Sequence, residues 1–355
     1  MSASPVLAAL AVCACLAAQA PTVSQNIDTG QQPMAVAVNE TTNKAYVVNH
    51  NSASLTVVDG KTRTAVATVK TGSGPEGIAV NPITNRVYVA CAGDSSVTVI
   101  DGANDTVVAT VRTGSYPQAV AVNPTTNKIY VANNFGHSIT VVDGVTHATE
   151  TIRVGQGPRA IVANPVTNKI YTVNYGSRDA TEIDGATNAA TSVPTGKHPW
   201  ALALDSRNNK TYVVNEDSAS ISILDGATGG VKSVTVGEIP FAVAVNPATN
   251  KAYVLTYAGS TMVVVDGASG TVTKTVPLAT HPSAVAVNPK TNQIYIANQK
   301  TASVLVLDGE TNTTVATLKA GAIPYAMAVD TAANQVYVAN FSGDNATVIH
   351  GPASH

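Results

Sequence analysis

A single unit recurs along nearly the whole chain at a spacing of 41 or 42 residues. Every copy opens with a proline and carries a tyrosine thirteen residues later. A sustained period of this length is typical of repeat architectures, in which each unit buries its apolar surface only against its neighbours. The eight opening prolines are Pro33, Pro75, Pro117, Pro158, Pro199, Pro240, Pro282 and Pro324.

Each unit contains four short segments rich in Val, Ala, Ile, Tyr and Thr, which favour β-strands. In the first unit these segments are Ala35–Val38, Lys44–Asn49, Ser54–Asp59 and Thr64–Lys70. Asn-Pro-x-Thr-Asn and Asp-Gly sequences separate them and predict tight turns, with glycine taking the positive φ of the Asp-Gly turn. Four strands in about 42 residues predict one four-stranded antiparallel blade of an all-β propeller.

The two ends of the chain indicate how many blades there are. The last unit supplies three strands, ending at Asn345–Ile349, and the segment Thr22–Thr29 resembles the missing fourth strand. Pairing the N-terminal strand with the last blade would close the ring and remove its free edges. We therefore predict eight blades; a seven-bladed ring is the alternative and would leave one unit outside it.

The first twenty residues differ from the repeats. They are rich in Ala and Leu and end in Ala18-Gln19-Ala20, a pattern typical of a signal peptide, and they are too short to span a membrane. We predict a signal peptide at 1–20, one propeller domain at 21–350 and a tail at 351–355. The mature protein is then exported to the periplasm or the cell surface. Cys13 and Cys15 fall in the leader, where lipid modification of either is an alternative, and Cys91 is expected to be a small buried apolar residue.

The repeats resemble the YVTN family of β-propeller repeats. The resemblance is carried by Val87-Tyr88-Val89-Ala90, Ile129-Tyr130-Val131-Ala132-Asn133 and Ile294-Tyr295-Ile296-Ala297-Asn298, and it covers residues 22 to 350. It implies a propeller similar to surface-layer and periplasmic YncE-like proteins, and more distantly to lactonase and d1-haem propellers. The eight copies differ from the seven blades common in the family, so no active site is carried over.

Comparison of the copies separates constant turns from variable connections. The turns joining strands one to two and three to four barely change and share one face of the disc. The other connections vary and share the opposite face, the top face. All eight aromatic residues outside the repeated tyrosines fall on this face or directly after an opening proline, which predicts a binding surface; the alternative is that some of them cap the channel. They are Tyr116, Phe135, Tyr175, Trp200, Phe241, Tyr257, Tyr325 and Phe341.

The residue after each opening proline differs in every copy and is predicted to ring the channel mouth. In order these residues are Met34, Glu76, Gln118, Arg159, Trp200, Phe241, Ser283 and Tyr325. The variable connections add Lys197, His198 and His281. A mixed-charge funnel with aromatic side chains suits a small polar ligand, a glycan or a peptide. We expect the centre of contact at Glu76, Arg159, Trp200, Phe241 and Tyr325.

No catalytic, metal or cofactor site is predicted. His50, His137, His198 and His281 lie on different blades, and zinc ligands must meet within about 2 Å of one point. No Cys-x-x-Cys-His sequence for haem attachment occurs. A net charge of −2 with no basic run gives no general attraction to nucleic acid, so single-stranded nucleic acid stacked on the aromatic residues is a less favoured alternative ligand.

These features together predict an exported, monomeric, non-catalytic binding scaffold without a transmembrane span. The ligand or partner is a small polar molecule, a glycan, a peptide or another protein. Two alternatives remain open. One is a periplasmic lactonase- or lyase-like enzyme at the channel mouth, with a pair such as His281 and Glu76. The other is a structural protein of the cell envelope or surface layer.

Overall fold

The computed structural model describes residues 20–279 and 281–351. Within these ranges, thirty-two strands form eight four-stranded antiparallel sheets, and the innermost strands of successive sheets contact one another around a closed ring. The predicted eight-bladed propeller is confirmed, and the seven-bladed alternative is wrong. We number the blades 1 to 8 by their opening prolines. Most of the predicted signal peptide, with Cys13 and Cys15, and residues 352–355 of the tail lie outside the described residues.

The two inner strands of each blade are seven and six residues long. The innermost strands are Pro33–Asn39, Pro75–Asn81, Pro117–Asn123, Pro158–Asn164, Pro199–Asp205, Pro240–Asn246, Pro282–Asn288 and Pro324–Asp330. The second strands are Lys44–Asn49, Arg86–Cys91, Lys128–Asn133, Lys169–Asn174, Lys210–Asn215, Lys251–Thr256, Gln293–Asn298 and Gln335–Asn340. The first innermost strand therefore begins two residues before the predicted Ala35.

The two outer strands complete each sheet. The third strands are Ser54–Asp59, Ser96–Asp101, Ser138–Asp143, Asp179–Asp184, Ser220–Asp225, Thr261–Asp266, Ser303–Asp308 and Asn345–His350. The outermost strands of blades 1 to 7 are Thr64–Lys70, Thr106–Arg112, Thr149–Arg153, Ala190–Pro194, Val231–Thr235, Thr271–Pro277 and Thr314–Lys319. A short 3-10 helix, Glu216–Ser218, lies in the top-face connection of blade 5. No helix of the described residues is long and apolar enough to cross a membrane.

The N-terminal strand Thr22–Asp28 is the outermost strand of blade 8. Its residues pair antiparallel with the third strand of that blade, from Thr22 opposite His350 to Asp28 opposite Asn345. The backbone N–H of Thr29 adds a hydrogen bond of 3.0 Å to the carbonyl oxygen of Asp344. The predicted closure of the ring by the two ends of the chain is confirmed.

The core lies between the blades. The eight repeated tyrosines are almost fully buried, and each contributes to a cluster that joins two successive blades. In one cluster, Tyr46 and Leu55 of blade 1 pack with Val87, Val89 and Ile100 of blade 2. Because one face of every sheet is covered by its predecessor and the other by its successor, a blade has no complete core of its own.

The Asp-Gly turns on the lower face differ from expectation in one detail. The carboxylate of Asp59 accepts a hydrogen bond from the Thr62 N–H, but the positive φ belongs to Arg63 and not to Gly60 as predicted. Glycine is required at position 60 for a different reason. A Cβ there would collide with the side chain of Asn43.

A belt of amide hydrogen bonds joins the blades on the same face. The Asn that ends an innermost strand donates from Nδ2 to the Oδ1 of the turn Asn in the next blade, as from Asn39 to Asn85 at 2.8 Å. The same bond recurs at five other blade junctions, at 2.8 or 2.9 Å. At the two remaining junctions the donor position holds Asp205 or Asp330.

Asp330 interrupts this belt at the junction between blades 8 and 1. Its side chain is fully buried, and neither its Oδ2 nor the Oδ1 of Asn43 has a hydrogen-bond partner among the described residues. Burial raises the pKa of the Asp330 carboxyl. An ionised carboxylate has no proton to donate, whereas the asparagine of the other junctions does. Asp205, by contrast, is held through both oxygens by Asn208.

We expect Asp330→Asn to stabilise the protein at pH 7 by about 1–3 kcal/mol, because it removes a buried unsatisfied acceptor and restores the repeated amide bond. The pKa of Asp330 is higher in the folded than in the unfolded protein, so its contribution to stability is greatest at low pH and is lost as the pH rises through the folded pKa. The gain from Asp330→Asn should therefore shrink as the pH is lowered. Urea unfolding followed by circular dichroism between pH 4 and pH 8 measures this, with Asp205→Asn as the matched control expected to gain less. An equal gain for Asp330→Asn at every pH would contradict the assignment.

Deleting residues 21–30 is expected to destabilise the protein strongly. The deletion removes the outermost strand of blade 8 and with it Ile27, which is 5% exposed and whose burial alone contributes about 1.5–3 kcal/mol. It also leaves the edge of Asn345–His350 unpaired, which favours aggregation. Thermal unfolding and light scattering test this against the matched deletion of residues 352–355. A melting temperature unchanged by the 21–30 deletion would refute the role of this strand in closure.

Candidate functional site

A β-bulge presents the residue after each opening proline. In blade 4, Pro158 pairs with Asn174 and Ala160 with the adjacent Val173, so Arg159 between them has no partner. The same shift occurs in all eight blades. A bulge re-aims the side chain that it leaves unpaired. The fold therefore offers eight equivalent positions at the channel mouth whose side chains take no part in strand pairing.

A second variable position lies next to the bulge. It directly follows the second strand, and its backbone N–H always donates to the carbonyl of the residue before the opening proline, as from Tyr175 to Gly157 at 3.0 Å. A backbone hydrogen bond fixes this position whatever its side chain. In blade order the residues are His50, Ala92, Asn134, Tyr175, Glu216, Tyr257, Gln299 and Phe341.

The two positions together line two adjoining cavities on the top face. The first, of about 440 Å³, is bounded by Arg159, Trp200, Glu216, Ile239, Phe241, Tyr257, Ser283, Gln299 and Tyr325. The second, of about 390 Å³, is bounded by Tyr116, Gln118, Asn134, Phe135, His137, Gln156, Arg159, Tyr175 and Trp200. Arg159 and Trp200 belong to both and form the wall between them.

Arg159 and Trp200 form a cation–π pair. The guanidinium carbon of Arg159 lies 3.3 Å from the centroid of the Trp200 ring, and both side chains are half-buried. Burial lowers the pKa of Arg159, while Tyr325, Glu76 and Glu216 oppose that shift, and an arginine stays charged in any case. Within the described residues its N–H groups make no hydrogen bond or ion pair. The wall thus carries a partly desolvated positive charge with unused donors.

Glu76 and Tyr116 form a hydrogen-bonded pair beside the second cavity. The Tyr116 hydroxyl donates to Glu76 Oε1 at 2.6 Å, and this bond together with burial raises the pKa of Tyr116 to about 12. The ring of Tyr116 also packs against Phe135, with their centroids 4.4 Å apart. The pair therefore holds a neutral phenol in the cavity wall and a carboxylate behind it.

Three further sets of aromatic side chains flank the wall formed by Arg159 and Trp200. His198 is bound through Nδ1 to Asp217 and stacks on Tyr175, whose ring meets the Trp200 ring edge-on at 5.8 Å. Tyr257 contacts Phe241 and His281 with near-perpendicular rings. Tyr325 packs on Phe341 at 5.6 Å. Contacts of this geometry are favourable and hold the rings in place.

The structure groups most of the predicted residues. Gln118, Arg159, Trp200, Phe241 and Tyr325 line the cavities from the bulge, and the aromatic residues Tyr116, Phe135, Tyr175 and Tyr257 line them from the connections. Glu76, His198, His281 and Phe341 contact lining residues from behind or from the side. Lys197 is exposed and lies in neither lining. That these residues bind a ligand remains a prediction.

Sequence reasoning missed Asn134, Gln156, Ile239 and Gln299 as lining residues. The signal for Asn134 and Gln299 was present, because the position after the second strand varies among the copies as strongly as the position after the proline. Ile239 precedes its proline with a φ of 51°, a conformation that is uncommon for a β-branched residue. No group of three His, Cys, Asp or Glu side chains able to hold a metal ion is found in residues 20–279 and 281–351.

A family model described as YNCE-like beta-propeller matches residues 76–355. The chain belongs to the YNCE-like β-propeller family. No curated protein matches its sequence. Among solved structures, this YNCE-like propeller is similar to Kuenenia stuttgartiensis hydrazine synthase, at 18% identity over 90% of this chain and 95% of that chain with a TM-score of 0.64. It is also similar to the dihydro-haem d1 dehydrogenase NirN in complex with DHE, at 15% identity over 88% and 71% of the two chains with a TM-score of 0.75. At such identities the likeness is one of fold.

If Arg159 serves a ligand and not the stability of this YNCE-like propeller, replacing it should cost little. We expect Arg159→Met to change the free energy of unfolding by less than about 1 kcal/mol, because the lost cation–π contact is offset by no longer having to desolvate a charge. The matched control is Lys44→Met, which removes contacts of 2.9 Å to the Gly102 carbonyl and 2.8 Å to Asp105 in the next blade. That control should cost about 1–3 kcal/mol. Chemical unfolding followed by circular dichroism makes the comparison, and a larger loss for Arg159→Met would assign Arg159 a structural role.

Proposed function

We propose that this YNCE-like propeller is an exported, monomeric binding protein that recognises a small polar ligand, a glycan or a peptide at its channel mouth. The observation that carries the proposal is Arg159, a charged side chain laid over Trp200 in the common wall of two cavities without an ion pair among the described residues. A cation in this position contributes little to the stability of the fold. Its unused donors are available to a ligand instead.

The pattern of variation among the blades supports this proposal. The bulge position has the same backbone path in all eight blades, so a residue needed by the fold would repeat there as the tyrosines do. Eight different residues occupy it instead. The strands and lower-face turns of this scaffold repeat closely, whereas the fold does not determine the side chain at the bulge position. Selection for ligand binding can therefore act on that side chain.

The size and chemistry of the cavities also support binding. Volumes of about 440 and 390 Å³ lie within the range of about 300–1,000 Å³ that is usual for small-molecule sites. Both have aromatic walls interrupted by a few amide, hydroxyl and charged groups, which is how such sites combine apolar contact with orientation. The apolar leader-like sequence before residue 21 supports export.

A ligand screen by thermal shift tests the proposal. The full chain is heated with separate sets of oligosaccharides, peptides and small organic acids, and a ligand at one hundred times its Kd should stabilise it by about 2.7 kcal/mol. We expect at least one set to raise the melting temperature, and the double variant Arg159→Met, Trp200→Leu to lose that shift.

The control variant is Arg112→Met, which removes an exposed arginine of an outermost strand that lies in neither cavity lining. It should respond to the ligand as the wild type does. A shift that survives in the double variant would place binding elsewhere on the molecule, and no shift from any set would favour a structural role.

A further inference from the structure

The two cavities contain polar atoms whose hydrogen-bonding capacity is unused, and these define the chemistry of a ligand. Arg159 offers guanidinium donors with no acceptor in the described part of the chain. Gln118 Oε1, in the wall of the second cavity, is buried and has no donor there. Both residues line the second cavity, so a ligand there would gain hydrogen bonds by presenting an acceptor to Arg159 and a donor to Gln118.

The neighbouring charges restrict the acceptor. Glu216 lines the first cavity together with Arg159, and Glu76 binds Tyr116 in the wall of the second, so the mouth holds one cation and two carboxylates. The two carboxylates repel any anion seated on Arg159 in proportion to its charge, so a dianionic phosphate or a polyanion is disfavoured more than a single carboxylate. A single carboxylate matches the planar guanidinium through two parallel hydrogen bonds, while ligand hydroxyls can donate to Glu216.

The remaining walls suit a polyhydroxylated ring. In the second cavity Asn134 and Gln156 add amide groups to Gln118, and Asn134 uses only its Nδ2, on the Pro158 carbonyl at 3.3 Å. Tyr175 and Trp200 line the same cavity, where His198 covers one face of the Tyr175 ring and Arg159 covers one face of the Trp200 ring, leaving one face of each for apolar contact. A sugar ring carries hydroxyl groups at its rim and C–H groups on its faces. The amides can hydrogen-bond the hydroxyl groups, and the aromatic faces can pack against the C–H groups.

The division of the site indicates the length of the ligand. Two cavities of similar volume share the Arg159–Trp200 wall, so a ligand that fills both must cross the guanidinium. The first cavity also combines aromatic side chains, Phe241 and Tyr325, with polar ones, Ser283 and Gln299. Each cavity therefore offers one ring both apolar contact and hydrogen bonds.

We propose that the site takes an acidic oligosaccharide of at least two sugar residues. One ring lies in each cavity, and a carboxylate of the sugar binds Arg159. This inference rests on the proposed binding function and specifies its ligand.

The probes are disaccharides with a single carboxylate, each paired with its uncharged methyl ester: an unsulfated hyaluronan disaccharide and sialyl-galactose. Titration is followed by the fluorescence of Trp200, the only tryptophan of the chain, and by calorimetry. We expect at least one acid to bind about 10–100-fold more tightly than its ester, because a charge-assisted bidentate bond is lost in the ester. The corresponding monosaccharide should bind more weakly than the disaccharide.

Three variants assign the contacts. Arg159→Gln should weaken binding of the acid about 10–100-fold and bring it level with the ester. Gln118→Leu should weaken acid and ester by the same factor, since it removes only an acceptor for a hydroxyl. Arg112→Gln is the control and should bind as the wild type does. Circular dichroism melting checks that each variant is folded. If Arg159→Gln does not fold, Gln118→Leu still tests the proposal.

The outcomes separate this inference from the function on which it rests. Equal binding of acid and ester by the wild type, or Arg159-dependent binding of peptides but not saccharides, would overturn the acidic saccharide and leave a mouth-binding protein. Binding of inorganic phosphate or sulfate alone that is lost in Arg159→Gln would reduce the site to a simple anion site and overturn it as well. No binding of any saccharide, peptide or organic acid would overturn both proposals.

Discussion

Each blade of this propeller buries its tyrosine only by packing against the next blade, and this mutual burial is the constraint on which the rest of the structure depends. Tyr46 packs in a cluster that joins its own blade to blade 2, and Tyr337 packs with Ala45 and Val47 of blade 1 across the junction where the ring closes. No blade is complete without two neighbours. The pairing of Thr22–Asp28 with the last sheet is thus the contact that satisfies the first and last blades together.

The same constraint divides the molecule into a constant and a variable face. On the lower face, the amide bond from Asn39 to Asn85 has a counterpart at five of the other seven junctions. A donor such as Asn81 begins the same turn whose last residue, Asn85, accepts the bond from the preceding blade. On the top face the bulge and the backbone hydrogen bond after the second strand fix the main chain at the two variable positions, whatever their side chains. The residues proposed to bind a ligand therefore lie at positions where the fold does not select the side chain.

The repeat made nearly the whole fold predictable from the sequence, since a period of about 42 residues with four strand segments leaves few arrangements. The variable positions, including Arg159 and Trp200, were equally visible, because internal copies reveal which residues the fold does not select. What the sequence did not reveal depends on distances between blades. The stacking of Arg159 on Trp200 joins side chains of two successive blades. Whether Gln118 Oε1 finds a donor likewise depends on what the surrounding blades place beside it. No local sequence pattern determines such contacts. The positive φ at Arg63 in place of Gly60 was missed because a close contact, and not backbone conformation, requires the glycine.

The pairing of both chain ends in one sheet also affects when the fold can be completed during synthesis. Asp28 pairs with Asn345, more than 300 residues later, so the first strand to be synthesised waits for nearly the last. At about 5–20 residues per second, that wait lasts tens of seconds on a ribosome. During that time the growing arc presents an open blade at each end, and only the final residues convert it into a ring. Such late, long-range pairing is slow to form. Until the ring closes, the nascent chain therefore depends on the packing of each blade against its neighbours.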